Sequence, residues 1–178
     1  MRRVSLAVLL CTLLGLPSVA TAQMDLVVSV EGWPRIGTRA DGKLEVLSYS
    51  LVVPQTVGSG TTRAKAQQLN ITLRQEPGAY FSRAALRGEV LKTVLLEAFG
   101  GKTTKPPPRA PFAIRFSDVR VASVQFGGSE FNDREIAYVL LEASRIEIFT
   151  ATMDPTGAMK PGLQFGWDYK VGKPPASP

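Results

Sequence analysis

Histidine is absent from the 178 residues, and the one cysteine, Cys11, lies near the start. Without histidine there is no Ser–His–Asp triad, no Cys–His pair and no imidazole metal site. A lone cysteine closes no disulfide within the chain. Catalysis would have to run on carboxylates, lysines or tyrosines, and no cofactor-binding, metal-binding or catalytic constellation is read here. Runs of one charge are missing too. The basic residues Arg35, Arg39, Lys43, Arg63, Lys65, Arg83 and Arg87 are scattered. No aromatics interleave with them as a stacking platform, so nucleic acid is not an expected partner. No apolar run reaches the ~20 residues that a stable membrane span needs.

What is there begins with a segment that is not fold. Arg2 and Arg3 precede an almost unbroken apolar run over residues 4–16, followed by Pro17 and Ala20-Thr21-Ala22. That order predicts a secretory signal over residues 1–22, cleaved after Ala22, and export to the periplasm or beyond. Residues 23–178 then carry 19 basic and 15 acidic residues, a net charge of +4. Their length suits one domain with a proper core.

Alternation supplies the secondary structure. Residues 25–31 (DLVVSVE) predict a first strand, and residues 43–53 a second, with Leu44, Val46, Tyr49, Leu51 and Val53 as inward or interface positions and Pro54 as its stop. Residues 68–74 (QLNITLR) alternate cleanly as a third. One helix is predicted over 79–87, with Tyr80, Phe81, Ala84 and Ala85 on one side and Gly88 as terminator. Strands follow over 89–99, 112–126, 133–150 (one strand, or two joined by a bend) and 163–171, with turns at 102–111 and 154–162 and a frayed tail from Gly172. About seven strands and one short helix predict a mainly β domain, an antiparallel barrel or sandwich.

Candidate chemistry is thin. Asp133 and Glu135 would share a strand face, but a carboxylate pair with no pocket reads as a solvated strand end. Gly58-Ser59-Gly60-Thr61-Thr62 lacks the lysine and the helix of a phosphate loop. Pro106-Pro107-Pro108-Arg109 reads as a stiff connector rather than a ligand for a proline-binding domain. Trp33 and Trp167 read as core or interface aromatics.

The stretch RFSDVRVASVQFGGSE, residues 115–130, is the most specific in the chain. Its alternation slips at Ser117–Asp118, which predicts a β-bulge there, and slips again before Val124. With Asp118, Val119, Val121, Ser123, Val124, Gln125, Gly127 and Gly128 it resembles the signature strand of the Hcp family, the haemolysin-coregulated proteins. These build the inner tube of the bacterial type VI secretion system. Residues 44–50 (LEVLSYS), 69–73, 142–149 (EASRIEIF) and 166–173 (GWDYKVGK) resemble further family strands in the family's order, so the likeness spans residues 24–173. It implies a β-barrel domain that assembles as a homo-oligomer, a six-membered ring. Such rings stack as conduit and carrier, with effector cargo and other secretion components as partners. Gly32, Trp33, Pro34 and Arg35 stand where the family has Gly-Glu-Ser, in a loop associated with contacts between rings. The signal segment departs from the family, whose members are expelled by a contractile sheath. Initiation at Met24 would give nearly the same polypeptide in the cytoplasm. An exported Hcp-like binding protein outside any such machine is the alternative.

Overall fold

The structure is a computed structural model, and it describes residues 24–36, 39–53, 67–100, 110–129, 132–154, 156 and 158–174. The expectations for residues 1–22, 58–62 and 106–109 fall outside those residues. In chain order the elements are β1 (Asp25–Val30), β2 (Leu44–Val52), β3 (Gln67–Arg74), α1 (Gln75–Leu86), β4 (Val90–Phe99), β5 (Phe112–Ser129), β6 (Asn132–Met153) and β7 (Met159–Asp168). Every pairing is antiparallel, in the order β3-β2-β1-β4-β5-β6-β7, and β3 also pairs with β6. That last pairing closes six strands into a barrel and leaves β7 outside it.

The length of β6, 22 residues, makes both arrangements possible. Its first half, from Ile136 to Ala143, pairs with β3, and its second half, from Arg145 to Met153, pairs with β7. Both halves pair with β5 on the other side. Inside the barrel, Leu69, Ile71, Leu73, Leu96, Ile114, Phe116, Leu141 and Ile146 are fully buried, with Phe81 of α1. Each contributes roughly 1.5–3 kcal/mol by leaving water.

The chain does not bulge at Ser117–Asp118. Register is unchanged across that point: Val119 faces Leu91 and Ala143, and Phe116 faces Val94 and Ile146. All six of these side chains are buried. Three adjacent strands therefore switch faces at one level, and the reversal in β5 occurs at Asp118, with φ +52°. A bulge in one strand alone would have shifted the ladder; a shared reversal does not. The ladder shifts instead between Val121 and Ser123, where the alternation slips for the second time, and again between Gly127 and Ser129.

Other boundaries moved. Helix α1 begins at Gln75 rather than 79, directly from β3, with Pro77 in the first turn, where its missing N–H costs nothing. Its stop is the predicted one: Gly88 has φ +60° and its N–H donates to the Ala85 carbonyl at 3.0 Å. In β2 the ladder shifts between Val46 and Ser48, so Leu44 and Val46 are buried and Tyr49 and Leu51 pack on the core. Val53 lies beyond the strand and is 60% exposed. β7 starts at Met159 and includes Pro161 and Gly162, the end of the predicted turn over 154–162. Proline is tolerated there because β7 is an edge.

Candidate functional site

The signature strand is wall. Val119 is in the core, and Val121 and Val124 pack against it. Asp118 is exposed and its carboxylate accepts a hydrogen bond from Lys170 Nζ at 2.7 Å, so the C-terminal turn clamps the reversal. Ser123 is half-buried, and Gln125 is exposed beside Tyr138 on β6. The two glycines do not end the strand as expected. β5 runs through Gly127 and Gly128, and Ser129 pairs with Asn132. A β-carbon on Gly127 would meet the Tyr138 ring at 3.4 Å, while Gly128 faces open space.

The second candidate surface is the loop from β1 to β2. Gly32, with φ +84°, forms a turn in which Trp33 N–H donates to the Val30 carbonyl at 3.2 Å. Trp33 is half-buried, its ring 4.8 Å from Phe81 and 6.0 Å from Tyr80 between centroids. Pro34 and Arg35 are exposed. Arg35 lies over Gly42, where a β-carbon would come 3.0 Å from its Cβ. The returning end is fixed by Arg39, whose Nη1 donates to both oxygens of the buried Asp25 at 2.9 and 3.0 Å. Burial opposes ionisation of Asp41, but the Lys43 backbone N–H and the Arg39 guanidinium outweigh it and hold that carboxyl below its usual range. Gly32, Pro34 and Arg35 thus present outward from a loop anchored at both described ends.

The third feature was not read from the sequence. Among the described residues the outer edge of β7 is paired only at its end, where Asp168 bridges to Lys173, and the strand exposes Leu163 (71%) and Phe165 (48%). Its neighbour, the C-terminal turn, is held firmly. Tyr169 N–H donates to the Ser144 carbonyl at 2.8 Å, and Tyr169 Oη donates at 2.6 Å to Oε1 of the fully buried Gln67. Gln67 Nε2 donates in turn to the Val52 carbonyl. Burial raises the Tyr169 pKa, which keeps the phenol a donor. The signal that would have marked this edge is the Pro161-Gly162 pair inside an otherwise alternating stretch.

The remaining candidates converge on nothing. Glu135 is exposed, and Trp167 packs on the core. Among the described residues no group of three or more acidic, cysteine or histidine side chains is placed to hold a metal, and no helix is long and apolar enough to cross a membrane.

No protein-family model matches the chain, and no curated protein sequence matches it significantly. Solved structures do match. Hcp1 from Salmonella typhimurium aligns over 85% of this chain and 98% of its own, at 17% identity and a TM-score of 0.65. A type six secretion system protein aligns over 86% of this chain and 100% of its own, at 18% identity and a TM-score of 0.67. The secreted protein Hcp3 from Pseudomonas aeruginosa aligns over 82% and 96%, at 9% identity and a TM-score of 0.53. A six-stranded closed barrel with one helix and an outlying β7, superimposing on these proteins along nearly their whole length, has the Hcp fold.

Proposed function

We propose that this chain is a ring-forming wall protein of the type VI secretion kind, six copies to a ring, with rings stacking as conduit and carrier for effectors. The observation that carries this reading is the coverage. The chain covers 98% and 100% of two compared proteins, one of them named as a type six secretion system protein, at TM-scores of 0.65 and 0.67. The open edge of β7 supports it. A ring joins one patch to a different patch on the next copy, and an unpaired strand edge is an economical half of such a joint. On this reading the Gly32–Arg35 loop serves contacts between rings, and the role of the domain is structural, without catalysis.

The N-terminal segment favours a second reading. A basic start, an apolar run and an Ala-Thr-Ala site fit export by a general route, which a tube protein does not need. An exported Hcp-like binding protein outside the machine would keep the barrel and lose the stacking.

The native mass of residues 23–178, with negative-stain images at high concentration, separates these. Six-subunit rings that stack end to end support the tube. Rings that stay single support the exported relative. A monomer at all concentrations overturns both ring readings.

A further inference from the structure

A cavity of about 420 Å³ lies on the side of the barrel wall facing away from the core. It is built by the residues of β4, β5 and β6 that alternate with the buried ones. Leu95, Ala113 and Phe149 form an apolar floor, and Leu163 of β7 closes one side. Its volume falls in the ~300–1,000 Å³ range of small-molecule sites. Sheet faces turned away from a core are normally polar, so this floor is out of place unless something covers it.

The charges around it are unevenly held. Glu97 is paired with Lys43. The buried Glu147 is held at 2.8 Å by Arg145 and only at 3.4 Å by Arg115. Asp154 is 3.4 Å from Lys160. Four cations thus stand beside three carboxylates. Arg115 is loosely held, its guanidinium 5.2 Å from the Phe149 ring centre and its side chain 47% exposed. A guanidinium has five donors in a fork that fits a carboxylate, and among the described residues this one meets only Glu147.

We propose that this cavity binds a small amphipathic carboxylate, its apolar tail on Leu95, Ala113 and Phe149 and its head group on Arg115, with Lys160 at the rim. The site does not rest on ring formation.

Isothermal titration of the full chain with decanoate below its micelle concentration is the test, with decyltrimethylammonium as the cationic counterpart. Decanoate binds saturably at one site per chain and the cation does not. Arg115→Gln weakens decanoate about tenfold, the worth of one charged hydrogen bond. Ala113→Phe fills the floor and abolishes binding. Should that variant misfold by circular dichroism, Lys160→Gln is read instead and weakens binding severalfold. Absence of saturable binding, equal binding of the cation, or decanoate binding indifferent to Arg115→Gln overturns the site. Native mass on the same samples keeps the questions apart: rings without binding refute this inference alone, and binding without rings refutes the ring reading alone.

Discussion

Replacing Gly78 by alanine tests how the helix is seated on the barrel. In an exposed helix the change stabilises by about 1 kcal/mol, because alanine loses less backbone freedom. Here the opposite is expected. Gly78 is buried against β5 and β6, and a β-carbon on it would overlap the Ala137 β-carbon and come 3.0 Å from Cε1 of Phe126. Alanine has no rotamer to turn away, so the relief must come from moving α1 or β6. Carbon atoms pack best at ~3.5–4.0 Å, so the shift is on the order of 1 Å or more. Overpacking of this kind costs about 1–3 kcal/mol beyond the helix gain that it cancels. A net loss of about 2 kcal/mol lowers the Tm of a domain this size by about 4–8 °C. Thermal unfolding followed by circular dichroism measures it. The double variant Gly78→Ala with Ala137→Gly removes the overlap and should recover most of the loss despite a glycine in β6. A Gly78→Ala protein as stable as the parent, or a double variant no better than the single, would refute this account of the helix seat.

Tyr169→Phe leaves the buried Gln67 Oε1 without its donor and should cost about 1–3 kcal/mol in urea unfolding. Burial raises the Tyr169 pKa in the fold, so its contribution is complete below the unfolded value of about 10 and is lost as pH rises through the folded one. The parent should therefore weaken at alkaline pH while Tyr169→Phe shows less of that loss; parallel profiles would contradict the bond. Trp33→Ala removes the ring packed on Phe81 and Tyr80, with an expected loss of about 2 kcal/mol that Trp33→Phe largely restores, and it should impair stacking of rings before their formation. Leu163→Glu with Phe165→Glu puts charge on the open edge of β7. Analytical ultracentrifugation should show rings giving way to monomers that stay folded, since Leu163 is 71% and Phe165 48% exposed in the single chain; intact rings would remove β7 from the joint.

The strands were legible where one face alone is buried. Leu69, Ile71 and Leu73 alternate with polar neighbours and lie in the core as the pattern demands. The double slip in RFSDVRVASVQF was visible as well, but its meaning was not. A slip in one strand reads as a bulge; the matching reversals at Leu91/Val94 and Ala143/Ile146 show that at the first slip the wall turns without changing register, and only the second shifts the ladder. The start of α1 was missed for a local reason: Arg74 supplies no side-chain cap, so the usual Ser, Thr, Asp or Asn signal is lacking. Pro161-Gly162 has the composition of a turn, and the same pair fits a strand only where that strand is an edge, as β7 is.

The sequence by itself determined which residues seek the interior, where helix α1 stops, and what chemistry is out of reach for a chain without histidine. These are properties of side-chain type and of local backbone preference. Tertiary structure decided the closure of the barrel through β3 and β6, the exclusion of β7, and the cavity floored by Leu95, Ala113 and Phe149. The reason is physical. Backbone hydrogen bonds are alike at every residue and name no partner, so which strands meet depends on how the whole set of apolar faces can be buried at once.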